Sequence, residues 1–436
     1  MSQSLWLGTD KTDITPRESV PLAGFSTRSE MGGFESVAHS IYARIFFFRH
    51  SDGQGGTTSA LLVSADLIWW GEERVPDLKR RIQERWGIPP AAVLLHGTHS
   101  HSGPQTSVLF SDYLGIADPA YIEWLEAEVM DGIERAAGSM EQVTASYGSG
   151  ECFVSVNRRL MVDGSASYRA NPDGPLDRLL RIVRFRTGSG LDKGILVHYA
   201  CHPVITQENR ISSEFCGVAM DQIERALGDT AVSAYLQGFC GDINPVGTDG
   251  ELILEGYDSE VARIGGELAE QALRVLSGEM KELAPCPLSA VVRTVAAPLQ
   301  HVPTLEELQA LTEESWVTGD WSRKLLASPE RLRPDIPLRL VSLTLAEGVS
   351  LLAANAEIVA EYGLYLQELA PGRQVLGLGY TNGMIGYIPT AAQIAEGGYE
   401  SFWSTPYFLL PSPFDPEVEE KVRSGLKDII REGNAM

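Results

Sequence analysis

The sequence predicts an α/β fold of layered, mixed β-sheets flanked by helices. Three observations carry this. Strand-sized apolar runs alternate with amphipathic helical runs. No apolar run approaches the ~18 residues a membrane span needs, so the apolar segments belong to a protein core. Polar residues capable of chemistry stand where strand-like runs end, the place where α/β sheets present ligands rigidly yet accessibly.

In chain order, "SALLVSADLIWW" reads as a buried strand ending at Asp66, and "RVPDLKRRIQERWG" as a helix with a glycine stop. "AAVLLHGTHSH" is the next strand and "PAYIEWLEAEVMDGIERAAG" a long amphipathic helix. "LLRIVRFRT" and "GILVHYACHPV" form a strand pair. "SSEFCGVAMDQIERALG" is a helix from a serine cap, and "AVSAYLQGFCGDINP" a strand running into a turn. The helix "EVARIGGELAEQALRVLSG" is followed by the strand "PLSAVVRTVAAPL". Residues 301–335 are polar, Trp-bearing and helical in pattern, either a lid over a site or a surface insertion. Strands return in "LRLVSLTLAEGVSLLAANAE" and "QVLGLGYTNGMIGYIPT". The texture changes near residue 285, yet candidate chemistry lies on both sides, so residues 1–436 are read as a single domain.

The 436 residues carry a net charge of −23, a field that repels phosphate backbones and anionic lipid surfaces. This excludes a nucleic-acid partner and stable membrane insertion, and leaves a small-molecule substrate. The five cysteines are odd in number and lack CxxC spacing, which argues against a cysteine-based zinc site. With no basic n-region and apolar h-region at the start, the expected location is the cytoplasm.

Five of the eight histidines fall in two clusters. "LLHGTHSHSGP" contains His96, His99 and His101. On an extended segment His99 and His101 share a face and His96 points away. His96 therefore reads as a strand-end histidine satisfied by hydrogen bonding. In "VHYACHPV", His198 and His202 share a face, and His202, at the end of the run, is the better ligand candidate. Glu357 stands where "SLLAANAE" gives way to a helical run, as a helix N-terminal charge or as a ligand. Two histidines and a glutamate form a hydrolytic zinc set with a position open to water, whose pKa the ion lowers to ~7. Zinc suits this donor set better than the harder magnesium.

"GTDKTDITP", "THSHSGP", "VNRRL", "YACHPV", "LQGFCGDINP" and "GYTNGMIGYIPTAAQIAEGGYE" occur in the order and rough spacing of the neutral/alkaline ceramidases, in their N-terminal catalytic domain. The chain resembles that family over nearly its whole length. The resemblance implies zinc on His99, His202, Glu357 (with Glu361 as the register alternative) and Tyr387. It implies a substrate-facing role for His101, a substrate-side cation in Arg158, and a substrate or oxyanion contact in Tyr399. Two departures stand out. Where the family's G-D-V-S-P turn carries an active-site serine, this chain has Asn244, which can hydrogen-bond but cannot be a nucleophile. The family's C-terminal β-sandwich has no counterpart before the chain ends, so sphingolipid hydrolysis at a membrane is not expected.

The reading is therefore a Zn2+-dependent hydrolase that cleaves an amide-like bond with metal-bound water. His101 moves the proton, Arg158, Tyr399 and Asn244 hold substrate, and Asp242 either orients a ligand histidine or stabilises its turn. The alternatives are a hydrolase of a soluble glycoside or glycan fragment, and a non-catalytic metal-binding relative.

Overall fold

The structure is a computed structural model describing residues 3–253, 256–314 and 316–435. A nine-stranded sheet runs, edge to edge, through Val232–Gln237, Asp192–Tyr199, Leu179–Thr187, Glu141–Glu151, Ser4–Asp13, Tyr42–Ser51, Thr57–Ala65 and Val93–Gly97, with Lys281–Leu283 paired to Glu141–Glu151. Its centre is antiparallel; only its two outermost pairs are parallel. A four-stranded sheet follows the order Ser289–Pro298, Asp335–Ala346, Val349–Ala354, Gln374–Leu378, and its last pair is also parallel.

Each parallel pair of these two sheets needs a crossover, and each has a helix there: Val75–Trp86, Glu214–Ala226 and Ala360–Leu369. The fold thus contains three βαβ units. The strand ends that release His99, His202, Asn244, Glu357 and Tyr380 are the carboxyl ends of strands in these units. The large sheet curls so that its edges meet: the Ser64 hydroxyl donates to the Tyr235 carbonyl at 2.6 Å, and the Gln237 amide donates to His96 Nε2 at 2.9 Å.

The second sheet seals that seam. The Gly97 amide donates to the Tyr380 carbonyl, and the backbones of Leu95 and Asn382 are also hydrogen-bonded. One apolar core contains Phe46, Phe48 and Leu62 of the large sheet with Leu343 and Leu351 of the small one. The change of texture near residue 285 is thus bridged by both hydrogen bonds and packing.

Several local expectations change. The strand before the histidines ends at Gly97, and His99 lies in the left-handed region at φ 68°. The helix after residue 213 starts without a Ser213 side-chain cap; Ser212 Oγ accepts from the Glu214 amide instead, at 2.9 Å. Residues 301–335 contain the helices Leu305–Leu311 and Trp316–Ala327, which pack Leu308 and Leu325 against Leu409. None of the described residues of this segment lines the cleft beside His101, although Trp316 abuts Tyr407 on its wall.

Candidate active site

The three histidines at the end of the first βαβ unit separate by their partners. His96 is buried, with Nδ1 2.9 Å from Thr381 Oγ1 and Nε2 accepting from Gln237; burial lowers its pKa to about 3. It pins the seam between the sheets. His99 and His101 converge, with Nε2 atoms 3.0 Å apart, but through a left-handed turn at His99 rather than by strand alternation. His198 and His202 do not share a site. His198 Nε2 donates to the Gly377 carbonyl at 2.8 Å inside the strand, whereas His202 lies past the strand end.

His99 Nδ1 donates to the carbonyl of Ile68 at 3.0 Å. His202 Nδ1 donates to the carbonyls of Cys240 and Ile243 at 2.7 and 3.1 Å. A carbonyl only accepts, so these bonds fix the tautomer and leave each neutral ring a bare Nε2 lone pair. Both lone pairs meet the same atom, Glu357 Oε2, at 3.3 and 3.2 Å. Burial lowers the His202 pKa to about 4. Burial pushes Glu357 up, but His99 and His202 outweigh it and hold the carboxyl well below its usual range. With both rings neutral the cluster brings three acceptor atoms together, an arrangement that a shared proton or a metal cation relieves. With backbone carbonyls orienting two imidazoles toward a buried carboxylate, the donor set fits a divalent metal of zinc's preferences.

His101 Nε2 belongs to the same cluster: one nitrogen each from His99, His101 and His202 lie within 4.8 Å of one another. Its Nδ1 is buried without a hydrogen-bond partner and packed against Gly24. Gly24 has φ 101°, and a Cβ there would come within 2.5 Å of Nδ1, so this close approach requires glycine. Buried Arg28 ties down the same loop, donating to the carbonyls of His101 and Glu208.

Glu357 opens the short strand Glu357–Ile358, which pairs in parallel with Tyr387–Ile388. Its neighbour in register is Tyr387. Glu361, the alternative, lies in the first turn of the next helix among Glu419, Arg423 and Thr390, away from the histidines. Tyr387 stacks on His202 at 6.5 Å and 14°, and its hydroxyl accepts from Arg158 Nη2 at 3.2 Å.

Arg158 forms the cleft's inner wall, with every donor group engaged. Nε donates to Glu400 at 2.7 Å, and Nη1 donates to Asn244 Oδ1 at 2.9 Å and the Tyr168 hydroxyl at 3.3 Å. Asn244 Nδ2 in turn donates to Tyr168 at 3.1 Å. Tyr399 sits over Arg158 and packs edge-on against Tyr387. Asp242 does not touch a histidine. One oxygen accepts from the Ala360 amide at the helix start, and the other from Asn157 and Gln393. Burial raises its pKa to about 6. It joins the turn to three neighbouring segments, so neither of its expected roles matches what is seen.

Two buried groups escaped the sequence reading. Glu400 bridges Arg158 and Arg159, and the only hint was its place beside Tyr399 in "GGYE". Tyr380, in "GYTNG", stacks on His99 at 3.9 Å, with its hydroxyl 3.1 Å from Cys240 Sγ and 3.5 Å from Glu357 Oε2. Its φ of 53° is a costly conformation for a tyrosine, consistent with a position fixed by its surroundings. The Tyr380→Phe substitution removes only the hydroxyl. Metal affinity, read by competition with a chromogenic chelator, should fall about tenfold, the low end for a group that orients a ligand. Unchanged affinity would reduce Tyr380 to a packing residue.

The fold and cluster define a class: a mixed α/β protein with a buried histidine–carboxylate centre at strand carboxyl ends, open to a cleft with a buried arginine. The chain belongs to the neutral/alkaline non-lysosomal ceramidase family, whose N-terminal family model matches residues 5–252. Among solved structures, it superposes on the neutral ceramidase from Pseudomonas aeruginosa with a TM-score of 0.77, at 19% identity over 99% of this chain and 75% of that one. A ceramidase complexed with C2 gives a TM-score of 0.75 at 17% identity, over 99% and 76% of the two chains. These likenesses establish the fold. Among the described residues no helix is long and apolar enough to cross a membrane.

Proposed function

We propose that the chain is a zinc-dependent amide hydrolase, distinct from the ceramidases in substrate. The observation that carries this is the meeting of the His99 and His202 lone pairs on one Glu357 oxygen. His99, His202 and Glu357 would hold the ion, with Tyr387 closing the set from the neighbouring strand. Zinc bound there would acidify water and polarise a scissile carbonyl.

The chain's own residues supply the rest. His101, whose pKa burial lowers well below its ordinary value, is a neutral base at the mouth of the cluster. It accepts a proton as the new C–O bond forms and returns it to the amine as the C–N bond breaks. Arg158 and Tyr399 face developing negative charge from the opposite wall. Asn244 holds Arg158 and Tyr168 in place, a positional role compatible with the absence of a nucleophilic hydroxyl. The five free cysteines suit a reducing compartment and support a cytoplasmic location.

The test is turnover of N-acyl amides by chelated and zinc-restored protein, with small glycosides in parallel. Zinc-restored amide hydrolysis is the expected result. Chelator-insensitive turnover would overturn the zinc assignment, and glycoside cleavage alone would overturn the bond assignment.

A further inference from the structure

Resting on the amide-hydrolase reading, we propose that the cleft takes a compact N-acylated amino sugar, and that Tyr168 limits the length of the acyl chain. The cleft has a volume of about 250 Å³. That is below the ~300–1,000 Å³ of pockets for larger organic ligands. Four tyrosines, Tyr168, Tyr387, Tyr399 and Tyr407, stand around Arg158 and Asn244, and Phe25, Leu114, Val204 and Ile253 line the rest of the cleft together with smaller and polar residues. Ring faces of this kind suit the C–H faces of a sugar, while hydroxyl and amide groups suit its oxygens.

Tyr168 lies on the hairpin of Ser155–Val162 and Ser165–Asn171. Its oxygen accepts from both Arg158 and Asn244, which leaves its own hydrogen to donate to a ligand. An alkyl chain there would leave that hydroxyl hydrogen without an acceptor, at a real desolvation cost. An apolar cavity of about 250 Å³ does exist, lined by Met384, Ile385 and Phe408 among others, but it shares no lining residue with the cleft. Tyr387 packs edge-on against Phe408 between the two, at 5.8 Å. A long acyl chain in the cleft therefore has no continuous path into that second cavity.

The experiment uses zinc-loaded full-length protein and glucosamine carrying acetyl, butanoyl, octanoyl and dodecanoyl groups, with N-acetylcyclohexylamine as the control lacking ring hydroxyls. Hydrolysis adds water across the amide, giving the free amine and a carboxylate. The expected result is a fall in kcat/KM of about tenfold or more from acetyl to octanoyl, and a similar loss for the control. N-acetylglucosamine should raise the thermal midpoint, a readout independent of turnover. Tyr168→Ala should flatten the chain-length dependence, and Tyr168→Phe, which removes only the hydroxyl, should partly flatten it while weakening sugar binding. Equal or rising kcat/KM with chain length would overturn the substrate class and leave the amide-hydrolase reading intact. Equal turnover of the control would overturn the sugar assignment. No turnover of any amide would overturn the underlying reading and this inference with it.

Discussion

Replacing Glu400 with alanine should destabilise the folded chain by about 3–5 kcal/mol, the cost of removing one partner from a buried ion pair. Glu400 receives Arg158 Nε on one oxygen at 2.7 Å and Arg159 Nη1 on the other at 2.5 Å. All three side chains are at most 5% exposed. Without the carboxylate, two adjacent guanidinium groups face each other with no counter-ion that matches both. Arg159 keeps Glu396 and two carbonyls, so its loss is partly offset. Arg158 keeps only neutral partners. Glu400→Gln retains the shape and one acceptor and should cost less. Urea titration gives the comparison, and a cost within about 0.5 kcal/mol, the range of an ordinary surface change, would contradict the bridging role.

The His101→Ala substitution should reduce amide turnover by about 10²–10⁴-fold, the usual worth of a positioned acid or base, while bound zinc stays near stoichiometric. His101 Nε2 lies 3.0 Å from His99 Nε2, close enough to be either a third nitrogen ligand or a proton carrier. The distinction rests on orientation. His99 and His202 each have Nδ1 anchored by backbone carbonyls, as metal-bound imidazoles do. His101 Nδ1 has no such anchor. Metal loss in this variant as complete as in His99→Ala would make His101 a ligand and leave the proton transfer to another group.

Much of this was legible in the sequence because it follows from short-range pattern. The helices Val75–Trp86, Pro119–Gly138 and Asp258–Ser277 follow amphipathic spacing, and the strand ends carrying His99, His202 and Asn244 follow apolar runs into turns. The strand Glu141–Glu151, "EQVTASYGSGE", was not, because two glycines and sparse apolar residues hide its alternation. Nor was the antiparallel centre of the large sheet, since βαβ spacing at the edges says nothing of the pairing between them. In the site, strand alternation was the ground for pairing His99 with His101; they do converge, but through a left-handed turn that leaves no trace in residue type. Tyr380 and Glu400 were hidden for another reason. Their partners, His99 and Arg158, are more than 200 positions away, and contacts of that range have no local signature.

The proposed zinc centre places one ion on His99, His202 and Glu357. Elemental analysis of purified protein, alongside His202→Ala, tests it most directly. About one zinc per wild-type chain is expected, with near-complete loss in the variant and the fold retained by circular dichroism. Full zinc occupancy in His202→Ala, or wild-type protein that takes up no zinc when the ion is supplied, would contradict it.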